Sequence, residues 1–413
     1  MERAAIRGQP AALAAAGAML RRGVPHALLL SGPPGSGKTT LALDIAAALL
    51  CVHPDPMERP CRDCRACRLV ARGAHPDLHR LAPGGAADQV KLKWAQADPR
   101  PGVLELIGEL ALSSVEGGPR VAIVERAHRM NDDAQNALLK TLEEPPAGVH
   151  LLLCTDDDDR LLPTIRSRCA RIRLGTVGAR DIEAWLVERG VADPPTAARL
   201  ARLAEGRPGV ALAYAEAPAA TAARAEVDRV LLDLLDARPS VRLASTKPLL
   251  GRAAALTTAL AGSAARSAGV SALPASGARR RRGGSGEVAE PAGGPAAAAI
   301  VDEDEAGAGE QVEEAQPVKS PASERRRAAQ TLIEVWRALA IDLVRAIGGD
   351  LRRVHDPGLL EELSAVAGRL SPGPTAAFLG RLDRTALAVE GSASPELAID
   401  ALVIAWPHLD PVA

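Results

Sequence analysis

Eight consecutive residues, Gly32 to Thr39, have the types and spacing of a phosphate-binding loop. They read Gly-Pro-Pro-Gly-Ser-Gly-Lys-Thr and match the pattern G-x-x-x-x-G-K-[ST] in full. In this pattern, backbone N–H groups turn towards phosphate oxygens, the lysine reaches the β and γ phosphates and the hydroxyl holds Mg²⁺. A strand-like run before the loop and a helical pattern after it favour an ATP site over a chance glycine-rich loop. The predicted nucleotide-binding residues of the loop are Gly32, Pro33, Pro34, Gly35, Ser36, Gly37, Lys38, Thr39 and Thr40.

A second set of groups, at the end of a later apolar run, bears on ATP hydrolysis. Such ATPases place a Mg²⁺-binding acid at the end of a buried strand, usually beside a carboxylate that positions water. Here the run ends in Glu125-Arg126-Ala127-His128. Glu125 suits Mg²⁺, but Arg126 cannot act as a base. His128 is a conceivable substitute, although a structural or surface histidine is favoured. The sequence predicts a site that binds ATP and hydrolyses it poorly.

A group of cysteines forms a candidate metal site. Cys61, Cys64 and Cys67 are spaced as C-x-x-C-x-x-C, and Cys51 lies ten residues upstream. Four thiolates make the closed tetrahedral set of a structural Zn²⁺ site. Clustered cysteines in a reducing compartment usually bind metal, so we predict zinc on these four residues rather than free thiols. Three histidines are alternative fourth ligands, namely His53, His75 and His79.

The order of apolar runs predicts an α/β arrangement for the first part of the chain. Three short runs read as buried strands and lie at 26–31, 120–125 and 150–155. Helical patterns precede and separate them and cover 11–20, 38–50, 102–116 and 132–142. Strands that alternate with helices favour a parallel sheet covered on both faces.

Beyond residue 176 the pattern is helical. A small helical domain takes its apolar face from Leu186, Val187, Leu200, Leu203 and Leu212. Helical spacing returns at Leu332, Val335, Trp336, Leu339, Leu343 and Ile347, and helices continue to about Trp406.

Residues 262–327, between these helical regions, have the composition of a disordered insert. They combine Gly-Ser-Ala repeats, four arginines at 279–282 and an acidic run at 302–305. Such a stretch buries too little apolar surface to order itself. The arginine run has the charge to contact DNA, but the acidic run near it favours a solvated linker.

Charge and hydropathy exclude some classes of function. The net charge is −1, from 50 basic and 51 acidic residues, so no basic excess argues for nucleic-acid binding by the whole chain, which leaves a local basic face open. No run approaches the ~18 apolar residues of a membrane span. Residues 11–20 lack the basic lead and cleavage site of a signal peptide. We expect a cytoplasmic protein without a membrane partner.

Four segments, in this order, resemble bacterial clamp-loader ATPases of the AAA+ class. They are the phosphate loop, the four-cysteine group, Asn136-Ala-Leu-Leu-Lys-Thr-Leu-Glu-Glu-Pro-Pro146 and Leu162-Pro-Thr-Ile-Arg-Ser-Arg-Cys169. The last two are highly specific to that family, and the resemblance covers about 5–260 and, more weakly, 325–410. It implies an AAA+ RecA-like parallel-sheet domain with a zinc knuckle (51–67) at 1–176, a small helical lid at 177–222 and an all-α collar at 223–413, interrupted by the insert.

Within this family the chain resembles the delta prime type of subunit rather than the motor (gamma/tau) type. Motor subunits keep an Asp-Glu pair where this chain has Glu125-Arg126, and a sensor arginine whose position falls here on Gly209. The segment Glu205-Gly-Arg-Pro-Gly-Val-Ala211 is similar to the Gly-Ser-Pro-Gly form of delta prime, and its arginine has the wrong offset for that sensor. The complete phosphate loop departs from those delta prime subunits in which the loop is degenerate, so ATP binding remains expected.

The resemblance also implies roles for single residues and for partners. Arg168 would project into the ATP site of a neighbouring subunit as an arginine finger in trans, whereas the plain alternative is a surface arginine. Thr155 falls where the family contacts the γ-phosphate or its water. The implied partners are motor (gamma/tau-like) and delta-like subunits in a hetero-oligomeric ring. Through that ring the chain would act on a sliding clamp and primer–template DNA.

Two other functions remain open on the sequence alone. One is an active motor ATPase or another AAA+ DNA-processing enzyme, which intact Lys38 and Thr39 support and Glu125-Arg126 opposes. The other is a zinc-dependent interaction module with a vestigial nucleotide fold, which the complete phosphate loop opposes.

Overall fold

The computed structural model describes residues 3–84, 88–94, 100–267, 322–391 and 393–409, with the backbone alone for 262–267. The first part contains the strands β1 (Ala27–Ser31), β2 (Leu78–Leu81), β3 (Arg120–Val124), β4 (Val149–Thr155) and β5 (Ala170–Arg173). The helices of this part are α1 (Pro10–Arg22), α2 (Lys38–Leu50), α3 (Arg65–Ala71), α4 (Val103–Ala111), α5 (Asp132–Glu143) and α6 (Pro163–Arg168).

The rest of the described chain is helical. Its first helices are α7 (Ala179–Glu188), α8 (Pro194–Leu203), α9 (Pro208–Glu216), α10 (Pro218–Asp233), α11 (Pro239–Ala244) and α12 (Thr246–Ser267). The later ones are α13 (Ala322–Ile347), α14 (Leu360–Ala367), α15 (Pro372–Glu390) and α16 (Pro395–Ala405). Short 3₁₀ turns lie at Pro56–Glu58, Ala127–Arg129, Leu351–Arg353 and Pro357–Leu359.

The strands form one parallel sheet in the order β2-β3-β4-β1-β5. Successive side chains of a strand point to opposite faces, so Leu28 and Leu30 of β1 enter one core while Ala27 and Leu29 enter the other. Helices cover both faces, which is why the central strands are mostly apolar. The predicted α/β fold class is confirmed, and β1 and β4 lie side by side with Leu29 opposite Leu153.

Local signals fix where several helices begin and end. The side chain of Asn131 caps α5 by accepting the backbone N–H of Ala134 at 3.3 Å. Pro145 and Pro146 follow its end and prevent its continuation. Helices α6, α8, α9 and α10 each have proline in the first turn, where a missing N–H costs nothing.

The helical part has one continuous core that runs from Val177 to Trp406. At its centre, the rings of Trp336, Phe378 and Trp406 contact one another with centroid distances of 4.7–5.4 Å. Edge-on and tilted ring pairs of this kind add to the stabilisation from burial. The predicted lid and collar regions therefore share their apolar interior.

The structure corrects several sequence-based boundaries. Helix α4 ends at Ala111 rather than near 116, and Val187 is 38% exposed instead of lying on the apolar face. The predicted lid–collar boundary after residue 222 falls inside α10. Residues 262–267 and 322–327, predicted as disordered, lie in α12 and α13, which extend their neighbours' helical pattern into the insert. The remainder of that prediction, 268–321, lies outside the described residues.

No helix in the described part of the chain has the length and apolar character needed to span a bilayer.

Candidate nucleotide and metal sites

The phosphate loop connects β1 to α2 at the carboxyl end of the sheet. Gly32 has φ 149°, and a Cβ there would lie 2.3 Å from the carbonyl oxygen of Leu174, so only glycine fits. Gly37 has φ 98° and is the residue before α2. Free N–H groups at the start of that helix favour an anion. The backbone therefore has the form that the motif predicts.

Lys38 is buried, with 7% of its surface exposed, and its ammonium group has three internal partners. Its Nζ donates to the carbonyl oxygens of Gly32 at 2.8 Å and Pro33 at 2.7 Å. It also forms an ion pair with Asp156 Oδ1 at 2.5 Å. An ammonium group has three N–H donors, so all of them are used within the chain. Sequence reasoning missed Asp156, because only the fold brings it to the loop.

The contacts of two hydroxyl groups in the loop show how well it suits a phosphate. Ser36 Oγ is buried and has no hydrogen-bond partner among the described residues, which suits a ligand that would supply one. Thr39 lies within hydrogen-bonding reach of the Cys154 thiol on β4, whose pKa burial raises to about 12. That thiol therefore stays protonated near neutral pH. The loop residues fit a phosphate-bearing ligand, although Thr39 already has a neighbour.

Glu125, the predicted Mg²⁺ ligand, follows β3 and is paired within the chain. Its Oε1 accepts from Arg80 Nε at 3.0 Å and from Arg80 NH2 at 2.5 Å. Both side chains are mostly buried, with 23% and 22% exposed. Arg80 comes from the edge strand β2, which the sequence pattern did not reveal. The carboxylate that Mg²⁺ needs is thus neutralised by a guanidinium.

Arg126, which follows Glu125, has a structural role. It adopts a left-handed conformation with φ 47°, and its guanidinium donates to both carboxylate oxygens of Asp88, at 2.6 and 3.0 Å. Asp88 also accepts from Arg327 of α13 at 2.8 Å. Burial alone would raise the pKa of Asp88, but the hydrogen bonds and charges of the two arginines outweigh it and hold that pKa below its usual range. Asp88, which Arg126 holds in place, therefore joins the sheet domain to α13 through Arg327.

Thr155 and His128 lock the turn after β4. Thr155 is fully buried, and its hydroxyl donates to the carbonyl oxygen of Asp157 at 2.7 Å. His128 Nδ1 lies 3.2 Å from the Asp156 backbone N–H, which donates to it. Burial lowers the pKa of His128, so its imidazole is neutral at physiological pH. The hydroxyl of Thr155 makes its hydrogen bond within the turn. The side chain that reaches the phosphate loop is therefore that of Asp156 rather than that of Thr155.

The lid region contacts the phosphate loop through the start of α9. The Gly209 N–H donates to the Gly35 carbonyl oxygen at 3.3 Å, and a Cβ on Gly35 would lie 3.2 Å from Arg207 Cβ. The Arg207 guanidinium is within 3.8 Å of Glu205 and 3.5 Å of Glu334. Gly209, at the sensor position, carries no side chain, and the nearby Arg207 is held by glutamates.

The four cysteines of the predicted knuckle converge as a metal site requires. Their sulfur atoms all lie within 4.8 Å of one another, in a cluster of Cys51, Cys61, Cys64 and Cys67. The separations from Cys51 to Cys61 and Cys64 are 3.5 and 3.9 Å, and Cys61 to Cys67 is 4.0 Å. A tetrahedral ion with ~2.3 Å metal–sulfur bonds separates its ligands by about 3.8 Å. The cluster is therefore compatible with zinc.

Backbone N–H groups surround these sulfurs. They reach Cys51 Sγ from His53 at 3.5 Å, Cys61 Sγ from Cys64 at 3.4 Å and Cys64 Sγ from Cys67 at 3.4 Å. Such bonds stabilise thiolates and orient metal ligands. In keeping with this, hydrogen bonding from backbone amides lowers the pKa of Cys61 to about 6.

The alternative histidine ligands have other partners. His75 Nε2 lies 3.4 Å from Glu116, His79 Nδ1 lies 2.8 Å from Glu109, and His53 Nδ1 contacts the Asp55 backbone. Among the described residues, the four cysteines are the group whose ligand atoms converge.

Asp44 of α2 fixes the knuckle against the nucleotide-site helix. It is 1% exposed, accepts the backbone N–H groups of Ala5 and Ile6, and pairs with Arg62 of the knuckle. Arg62 itself has φ 69°, so this loop is held in an unusual conformation by its contacts. Asp44 was not predicted, because an isolated helical aspartate has no sequence signature.

Arg168, the predicted finger, is the last residue of α6 and is 36% exposed. Its NH2 lies 2.7 Å from Glu143 Oε1, and its NH1 donates to the Thr164 carbonyl oxygen at 3.1 Å. Glu143 belongs to the Leu-Glu-Glu-Pro-Pro segment, so the two family-specific segments meet in space. The ion pair with Glu143, which is half exposed, therefore keeps the Arg168 guanidinium at the surface.

Part of the chain is similar to subunits of DNA polymerase III. Residues 9–177 match the family model described as DNA polymerase III, delta subunit. DNA polymerase III subunit delta′ of Pseudomonas aeruginosa is 40% identical over 185 residues, which are 44% of this chain and 53% of that protein. Subunit delta′ of Escherichia coli is 36% identical over 188 residues, 46% of this chain and 54% of that protein.

Motor-type subunits are also similar. DNA polymerase III subunit tau/gamma of Haemophilus influenzae is 33% identical over 224 residues, which are 52% of this chain and 31% of that protein. The chain spans about half the length of the delta′ relatives it matches. Through residues 9–177, the chain is similar to the DNA polymerase III delta-subunit family.

Proposed function

We propose that this chain is a delta′-type subunit of a bacterial DNA polymerase III clamp loader, which helps to place a sliding clamp on primed DNA. The choice of a delta′-type subunit over a motor subunit rests on the pairing of the two residues that follow β3. There Glu125 is paired with Arg80, and Arg126 is bound to Asp88. A motor subunit needs a free Mg²⁺ ligand and a water-positioning acid at this place. Relatives named delta′ support the same choice.

We propose that Arg168 acts in trans at a neighbouring subunit's ATP. Its position at the end of α6, with a third of its surface exposed, leaves the guanidinium accessible to a partner. Arginine suits this task because it stays charged and binds phosphate oxygens with two N–H groups. To act there, Arg168 exchanges its contact with Glu143 for the phosphoryl group of the neighbour.

The ligands proposed for the chain itself are ATP with Mg²⁺ in the phosphate loop and Zn²⁺ on the four cysteines. The loop groups Gly32 to Thr40 would hold the phosphates, and the cation would neutralise their charge. The zinc would be structural, since all four ligands come from protein and leave no open position.

The proposed partners are a motor (gamma/tau-like) subunit and a delta-like subunit in a hetero-oligomeric ring, and through them the clamp and primer–template DNA. The likeness to both delta′ and tau/gamma proteins supports such a ring, because ring subunits of one assembly share their ATPase domain. A replication complex of bacteria implies a cytoplasmic location.

The test is ATP hydrolysis by the purified chain, alone and in a reconstituted ring, with Arg168→Ala and the matched control Arg166→Ala. Arg166 lies on the same helix and is also ion-paired, with Asp159 at 2.7 Å. We expect the chain alone to be inactive. In the ring, Arg168→Ala should remove the turnover of the facing site, since an arginine finger is worth on the order of 10³ or more in rate. The control should retain it.

The second candidate function, an active motor ATPase, is favoured by one observation, the complete loop with Lys38 and Thr39. Steady hydrolysis by the isolated chain at a rate typical of motor subunits, abolished by Lys38→Ala, would establish the motor function and exclude the delta′ proposal.

A further inference from the structure

The contact between Asp156 and Lys38 places a negative charge inside the phosphate loop. Asp156 Oδ1 lies 2.5 Å from Lys38 Nζ, and the two side chains are 23% and 7% exposed. The remaining N–H groups of Lys38 go to loop carbonyl oxygens. A nucleotide phosphate that binds Lys38 must therefore share this ammonium with the carboxylate or displace it.

Asp156 is held in this position by the turn that contains it. Its backbone N–H donates to His128 Nδ1, and the preceding residue, Thr155, accepts the Gly32 N–H through its carbonyl oxygen at 3.3 Å. The carboxylate thus belongs to a turn that is itself bonded to the loop. Its approach to Lys38 is fixed by the backbone rather than by a mobile side chain alone.

The carboxylate lies against the lysine that would contact the end of a bound triphosphate. The lysine of this loop pattern contacts the β and γ phosphates. Asp156 approaches it from the turn after β4, with its Oδ1 2.5 Å from the Lys38 Nζ. A bound diphosphate would leave the carboxylate next to Lys38. The third phosphate group of a triphosphate would instead lie against the carboxylate.

Neither His128 nor Arg207 places a positive charge against Asp156. His128, whose Nε2 lies 3.9 Å from Asp156 Oδ2, is neutral because burial lowers its pKa. The guanidinium of Arg207, whose stem lies over Gly35, is directed to Glu205 and Glu334. Two anions around one ammonium in a partly buried site repel each other strongly.

We infer that Asp156 is an internal substitute for the γ-phosphate on Lys38, and that the site therefore selects a nucleoside diphosphate over a triphosphate. This inference rests on the proposed nucleotide site, and it changes the preferred ligand from the ATP proposed above to the diphosphate form. Asp156 is a specificity-determining residue: its carboxylate contacts the group that would contact the terminal phosphate.

Nucleotide affinity of the full chain tests the inference, with ADP and ATP titrated separately in the presence of Mg²⁺ by calorimetry. The variants are Asp156→Asn, which keeps the shape and removes the charge, and the control Asp157→Asn. Asp157 is the next residue of the same turn, is exposed and makes no contact with Lys38. Thermal unfolding of each variant checks that it is folded.

We expect wild type and the control to bind ADP at least about tenfold more tightly than ATP. Asp156→Asn should strengthen ATP binding by about tenfold and ADP binding by no more than about threefold. Equal affinity of wild type for ADP and ATP overturns the inference, and this result needs no variant to fold. So does an equal change for both nucleotides in Asp156→Asn, or the absence of binding in every variant.

These outcomes are separate from those of the proposed clamp-loader function. That function depends on Arg168 acting at a neighbour's ATP, which the hydrolysis assay of the ring measures without any ligand in this chain's own loop. A chain that binds no nucleotide but still supports Arg168-dependent turnover would overturn the inference alone.

Discussion

The two candidate ligand sites at the ends of α2 differ in how far their groups are already satisfied. In the knuckle, four sulfurs face one another at separations that suit a tetrahedral cation. In the phosphate loop, Lys38 has three protein acceptors, and at the end of β3 Glu125 has Arg80. The sulfurs of the first arrangement leave their centre to a cation, whereas the charged groups of the second already have partners within the chain. A complete sequence motif therefore does not show that its groups are available.

The largest effect is expected from removal of a zinc ligand. Cys61→Ser should abolish the binding of about one zinc ion per chain, because a structural site needs all four ligands. Folding of such a loop is coupled to metal binding, so the variant should lose on the order of 3 kcal/mol or more of stability. Zinc content by atomic absorption and the midpoint of thermal unfolding are the measurements.

Cys169→Ala is the matched control, since this cysteine is buried in the sheet core away from the cluster. It should retain its zinc. A wild-type protein without zinc, or a Cys61→Ser variant that unfolds at the wild-type temperature, would remove the contrast between the two sites.

A smaller loss of stability is expected from Lys38→Met in the absence of nucleotide. If Lys38 is bonded within the chain, this change leaves the mostly buried Asp156 without its ion-pair partner. The free energy of unfolding should then fall by about 1–3 kcal/mol. If Lys38 made no stabilising contact without nucleotide, the change would leave the free energy of unfolding nearly unaltered. Urea unfolding of the single variants and of Lys38→Met with Asp156→Asn measures the coupling between them. Additive losses in the double variant would contradict the internal pairing.

The smallest effect is expected from Arg80→Gln, which frees Glu125. Both side chains are nearly four-fifths buried, but an ion pair close to the surface contributes only about 1 kcal/mol or less. The released carboxylate should make ADP binding more dependent on Mg²⁺, with a gain of about threefold in affinity. Titrations with and without Mg²⁺ measure it, and adding Glu125→Gln should cancel the gain. A gain that survives this second change would exclude Glu125 as its source.

The central strands could be predicted from sequence because they are buried on both faces. The runs at 26–31, 120–125 and 150–155 correspond to β1, β3 and β4 within one residue at each end. The edge strands were missed: β2 reads Leu-His-Arg-Leu and β5 reads Ala-Arg-Ile-Arg. Edge strands carry charged residues on their open side, so they lack the continuous apolar pattern of central ones.

The candidate site shows the same division between local and non-local signals. The loop and the cysteine cluster are encoded by residues close in sequence, and the members of each set lie together in the structure. Arg80, Asp88 and Asp156 reach their partners only through the order of the strands. No spacing rule connects such residues with their partners. These ion pairs could therefore not be predicted from a single sequence. The roles of Arg168 and Thr155 stay predictions.

Helix α2 imposes a constraint on the length of the chain between the two sites. Lys38 is its first residue and Cys51 follows its last, and 13 residues of helix separate the sites by about 20 Å. Each residue of an α-helix turns the chain by about 100°, so one insertion or deletion would rotate Cys51 away from the other sulfurs. Asp44, between them, adds a third fixed point through Arg62. Over evolutionary time this helix is expected to accept substitutions on its surface while its number of residues stays constant.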